Sequence, residues 1–166
     1  MTKRAFTLVE ILIVVSILGI LAAIVLPQYQ SHAQAARESA AKENLRILRN
    51  AIEFYAAEHG DRPPGYTLGF TIPGLMIPNQ FIFYTNAAGT VGYAPSTDFP
   101  YGPYLKKMPE NPFNNRATIY SLNDTESFYD GGRPTGYYGW IYNPATKEIR
   151  LDYAGTDSDG VSYYDY

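Results

Sequence analysis

The residues of this 166-residue chain that could do chemistry lie near its two ends. Glu10 is the one charge in the run Phe6 to Leu26, FTLVEILIVVSILGILAAIVL. A carboxylate in a membrane helix costs about 2–3 kcal/mol even on lenient insertion scales, so it needs a partner or a solvated position. A cut before Phe6 would create an α-amino group one helical turn from Glu10. Among parallel packed helices, that cation could pair with a neighbour's Glu10 and remove two buried charges at once. At the other end, Gly155 to Tyr166 is rich in Asp and Gly, and oxygen ligands around a tight turn suit Ca²⁺. It is not an EF-hand, because the terminal Glu is missing at the required spacing. A solvated acidic turn explains the same residues.

Catalysis finds no constellation. The two histidines, His32 and His59, sit far apart in one helical pattern, and there is no cysteine. No phosphate loop or zinc spacing occurs, so the chain reads as a non-enzyme. A net charge of −3 gives no reason to expect nucleic-acid binding.

The elements that position these residues divide the chain. Residues 6–26 are long enough to cross the ~30 Å hydrocarbon layer as a helix. Lys3 and Arg4 precede them, which keeps the N-terminus cytoplasmic and sends the rest across. An ordinary signal peptide is the competing reading. It would end in a small-residue cleavage site, but Ala22-Ala23 is followed by Ile24-Val25-Leu26-Pro27. From Gln28 to Glu58, Ala41, Leu45, Leu48, Ile52 and Tyr55 recur at helical spacing and predict one apolar face. The alanines between Ser31 and Ala41 permit close helix approach. A single helix over 6–58 would be roughly 80 Å long. Pro63 and Pro64 end it, and residues 60–166 form the remaining domain.

All Tyr but Tyr29 and Tyr55 lie in that last domain, with many Gly and Pro, which predicts short strands and long loops. Tyr137–Tyr142 and Lys147–Tyr153 alternate on either side of Asn143-Pro144-Ala145-Thr146, predicting an antiparallel hairpin with one face on the helix. Further strands are expected at Ala117–Leu122 and Phe81–Tyr84, and a helical turn at Tyr104–Lys107. The fold class is α+β: a long N-terminal helix packed on a small antiparallel sheet.

Lys3-Arg4-Ala5-Phe6-Thr7-Leu8-Val9-Glu10, running into an apolar helix with Pro27 beyond it, resembles the start of type IV pilins and pseudopilins. Among these the closest resemblance is to the major pseudopilin of type II secretion systems. The resemblance implies a pilin fold and a leader, residues 1–5, cut by a prepilin peptidase between Ala5 and Phe6. Phe6 is then N-methylated. The family usually has Gly where this chain has Ala5, and a small Ala should still fit a narrow cleavage pocket. Removing Lys3 and Arg4 shifts the net charge from −3 to −5.

The resemblance further implies that Phe6, Glu10 and Pro27 serve assembly into a homo-oligomeric filament. It places residues 6–26 in the inner membrane before assembly, with 27–59 continuing the helix and the C-terminal domain in the periplasm. An inner-membrane assembly platform and minor pseudopilins are the implied partners. Met108–Asn115 is similar to the turn before the family's sheet. By the same match, Asp157 and Asp165, with Asp159 next, are the implied Ca²⁺ ligands. A type IV pilus subunit or a minor adhesive pilin is the alternative.

Overall fold

A computed structural model of the chain describes residues 7–123, 125–128 and 134–166. It is α+β. The chain divides into two compact units, Met1–Arg37 and Glu38–Tyr166. Helix α1 runs Leu8–Glu58. It stops in a Schellman arrangement, with Gly60 and Asp61 at positive φ and the Asp61 amide donating to Ala56 O at 2.8 Å. Pro63 follows this stop.

In the second unit, the predicted stripe of α1 is buried, joined by Ala51 and Ala56. It packs with Trp140, Tyr142, Ile149, Leu151 and Ile119 in one core. The main sheet has three strands, β5 (Ile119–Ser121), β6 (Trp140–Asn143) and β7 (Glu148–Leu151). The β6–β7 hairpin is antiparallel, as expected, with Trp140 opposite Leu151. Asn143 sets its turn by accepting the Ala145 amide at 2.9 Å. Strand β6 is buried on both faces: Ile141 packs into a second cluster with Leu122, Phe128 and Tyr164.

The expected antiparallel sheet is mixed. Strand β5 pairs parallel to β6, which a long connection over residues 122–139 permits and a hairpin would not. The expected strand Phe81–Tyr84 is replaced by a short helix α2 (Ile77–Ile82) and a two-residue strand β3 (Tyr84–Thr85) paired with β4 (Val91–Gly92). Pro78 favours a helix start, and Ile77 and Phe81, four apart, bury together. A further hairpin, β1 (Tyr66–Thr67) with β2 (Phe70–Thr71), lies before it. The expected helical turn at Tyr104–Lys107 does not form. The amides of Tyr104 and Leu105 donate instead to Phe81 O at 2.8 and 3.0 Å.

Buried polar side chains join segments far apart in sequence. Gln80 accepts the Gly65 amide at 2.7 Å and donates to the carbonyls of Tyr66 and Gly89, both at 2.8 Å. Asn111 accepts the Phe113 amide at 3.0 Å and donates to Gly139 O at 2.9 Å. This makes Met108–Asn115 a side-chain-capped turn locked to the start of β6. Glycine is required at 139, where an added Cβ would lie 2.1 Å from Arg116 O.

His59 stacks on Tyr55, with ring centroids 3.8 Å apart, and sits between Tyr55 O at 2.7 Å and the Thr85 hydroxyl at 3.1 Å. Burial lowers its pKa from an ordinary value of 6.5, and the hydrogen bond to Tyr55 O opposes that only in part. As pH falls, the unfolded chain takes up the proton first. The stability gained from a neutral His59 is complete above 6.5 and is lost as pH falls through the lower folded value. The melting temperature of the full chain in detergent should therefore drop as pH falls below about 6.5, and drop less in His59→Gln. Equal slopes in the two proteins would remove His59 from the account.

Candidate assembly site and C-terminal loop

Thr7 caps α1. Its hydroxyl oxygen accepts the Glu10 amide at 3.2 Å. The Thr7 amide and hydroxyl donate in return to Glu10 Oε2, at 2.9 and 2.8 Å. This is a reciprocal capping box, and it turns the carboxylate back toward the start of the chain. Thr7 directly follows Phe6 in sequence. The capping group and the expected partner of a neighbour's terminus are thus the same carboxylate. Ala5 and Phe6 themselves lie outside the described residues.

Beyond Glu10, the first unit presents Leu8 to Leu26 with every large apolar side chain exposed by half or more. The most apolar 18 residues of α1 have a mean hydropathy of 3.0, and none is buried. The segment is long and apolar enough to cross a membrane. The helix is unbroken across Pro27. Pro27 has no amide hydrogen, so the carbonyl one turn earlier, of Ala23, goes without its helical donor.

The three C-terminal carboxylates do not come together. Asp157 has a side chain only 5% exposed. Its Oδ1 accepts the amides of Asp159 and Val161, at 3.0 and 2.9 Å, and its Oδ2 accepts the Tyr166 hydroxyl at 2.8 Å. The Lys42 ammonium lies 3.9 Å from Oδ2. The Tyr166 hydroxyl, with help from the two amides and Lys42, holds Asp157 below the usual carboxylate range. Asp165 accepts from Arg150 at 3.0 Å, and Asp159 contributes its amide to Asp157. A calcium cage needs six to eight converging oxygens. Among the described residues no group of three His, Cys, Asp or Glu could hold a metal ion.

Asp152 is a buried carboxylate that sequence alternation places on a solvated face. It lies just past β7 with no surface exposed. Its Oδ1 accepts the amides of Thr135 and Gly136, and its Oδ2 accepts the Thr135 hydroxyl and the Tyr138 amide. Nothing local marks it, because all four donors come from residues 135–138.

An apolar N-terminal helix with a Thr–Glu capping box, leading into a small α+β unit with its core on the same helix, defines a pilin-like subunit. The prokaryotic N-terminal methylation motif matches residues 1–26. The chain is 30% identical over 113 residues to type II secretion system core protein G of Pseudomonas aeruginosa, a match spanning 68% of this chain and 70% of that protein. It is 26% identical over 119 residues to core protein G of Klebsiella pneumoniae, spanning 72% and 75%. A type IV major pilin protein of Neisseria gonorrhoeae, PilE1, is 33% identical over 89 residues, which span 54% of this chain and 42% of that pilin. The chain thus spans less than half the length of that pilin. No solved structure matches. The chain belongs to the family of type II secretion system core protein G, the major pseudopilin.

Proposed function

We propose that the chain is the repeating structural subunit of a pseudopilus, a filament that supports type II protein secretion, and that its role is not catalytic. The observation that carries this is the Thr7–Glu10 motif at the head of an unburied apolar helix, in a chain that spans 70% of a core protein G. Among the described residues nothing covers this apolar segment. It needs lipid before assembly and other copies of itself afterwards. A prepilin peptidase cuts between Ala5 and Phe6, and Phe6 is methylated. Lys3 and Arg4 hold the leader on the cytoplasmic side, so the unit from Glu38 onward stands in the periplasm. The new Phe6 terminus pairs with a neighbour's Glu10 as subunits leave the inner membrane, through an assembly platform and beside minor pseudopilins. Pro27 gives the packed helix a place to open.

Mass spectrometry of the membrane-bound protein should find a chain that begins at Phe6 and carries one added methyl group. A chain beginning at Met1, or cut after Ala23, would refute the processing step. Deletion of the gene should stop type II secretion and leave surface pili in place. Loss of pili with intact secretion would instead assign the subunit to a type IV pilus, the reading favoured by its similarity to the pilins.

A further inference from the structure

We propose that the last loop of this subunit is closed by a side-chain latch, in which Tyr166 and Lys42 hold Asp157, and not by a bound calcium ion. Asp157 faces two ways. Its Oδ1 is taken up by the amides of Asp159 and Val161 within the loop. Its Oδ2 faces the Tyr166 hydroxyl and the Lys42 ammonium on α1. Lys42 also lies 4.2 Å over the Tyr166 ring, so one cation contacts both halves of the hydroxyl–carboxylate pair.

The chain end is tied to the same helix twice more. Arg49 donates to Tyr166 O at 2.5 Å, and the Tyr163 hydroxyl donates to Glu38 at 2.9 Å. Tyr163 and Tyr166 meet edge to face at 5.5 Å. These contacts hold Tyr163 and Tyr166 against α1.

Charge is balanced on the spot. Lys42 supplies the positive charge at Asp157, and Arg150 supplies it at Asp165. A calcium ion on Asp157 would have to displace the Tyr166 hydroxyl and sit beside Lys42. It would also need Asp165 to leave Arg150. Each step gives up an existing partner, and the ammonium repels the incoming cation. The proposal concerns the loop alone and stands whichever filament the subunit builds.

The test uses the full chain purified in detergent and melted in EDTA, in millimolar Ca²⁺ and in millimolar Mg²⁺. The wild-type melting temperature should be the same in all three, and Ca²⁺ titrated into the protein should give no saturable heat. Tyr166→Phe should lower the melting temperature by roughly 3–6 °C in every buffer. Tyr166→Phe with Asp157→Asn should lose little more than Asp157→Asn alone, because the Tyr166 contact is already broken there along with the Lys42 pair. A Ca²⁺-specific rise in the wild type that Asp157→Asn abolishes would overturn the proposal. So would fully additive losses in the double variant, which would show that Tyr166 and Asp157 act separately.

Discussion

Replacing Glu10 with alanine should leave the subunit in the membrane and remove nearly all assembled filament. The apolar helix is untouched, and losing a carboxylate makes insertion about 2–3 kcal/mol easier. The lone subunit loses the return bonds from Glu10 to the Thr7 amide and hydroxyl, a capping loss of about 1 kcal/mol. In the filament, a neighbour's Phe6 ammonium is left buried and unpaired. Removing one member of a buried ion pair costs roughly 3–5 kcal/mol, a hundredfold or more at each contact. The measurement is sheared filament against total membrane-bound subunit. Glu10→Gln separates the two roles, since the amide oxygen can still cap Thr7 but carries no charge. It should fail as Glu10→Ala does. Normal filament yield from Glu10→Ala would end the pairing account. Normal yield from Glu10→Gln alone would reduce Glu10 to a helix cap.

Asp152→Ala should cost the second unit about 3 kcal/mol and lower its melting temperature by roughly 10 °C. Three backbone amides and the Thr135 hydroxyl converge on this buried carboxylate. Alanine leaves them without the buried acceptor they share. Asp152→Asn should be nearly as damaging, because its amide nitrogen would face donors where an acceptor is needed. Segment 134–139 should then lose amide-exchange protection before the β6–β7 hairpin does. A variant as stable as the wild type would mean that this segment finds other acceptors.

The helix was legible because its cause is local. The spacing of Ala41, Leu45, Leu48, Ile52 and Tyr55 states which face is buried, and that face is buried. The β6–β7 hairpin was legible for the same reason, since alternation and an Asn-Pro turn sit in one short stretch. Parallel pairing of β5 was not. It depends on where a long connection brings the chain back, and no residue in Ile119–Ser121 encodes that. Phe81 read as a strand residue until its pairing with Ile77, one turn earlier, made it helical. At the N-terminus, the spacing of Thr7 and Glu10 carried both the capping box and the expected assembly contact. At the C-terminus, the acidic residues were visible, but Lys42, which holds Asp157, lies far away on α1, and Arg150, which holds Asp165, lies in β7. Asp152 was hidden by the alternation of its own strand.

Gln80, Asn111 and Asp152 each bind segments that would otherwise part, in a chain that has no cysteine. In small exported domains such joining is often left to disulfides. A disulfide, once torn or mispaired, needs an oxidant and an isomerase to restore it. Amide and carboxylate contacts re-form as soon as the chain is slack. A subunit stitched this way can fold without waiting for oxidation. It can also be pulled partly open under load, close again unaided, and do so equally well in reducing or oxidising surroundings.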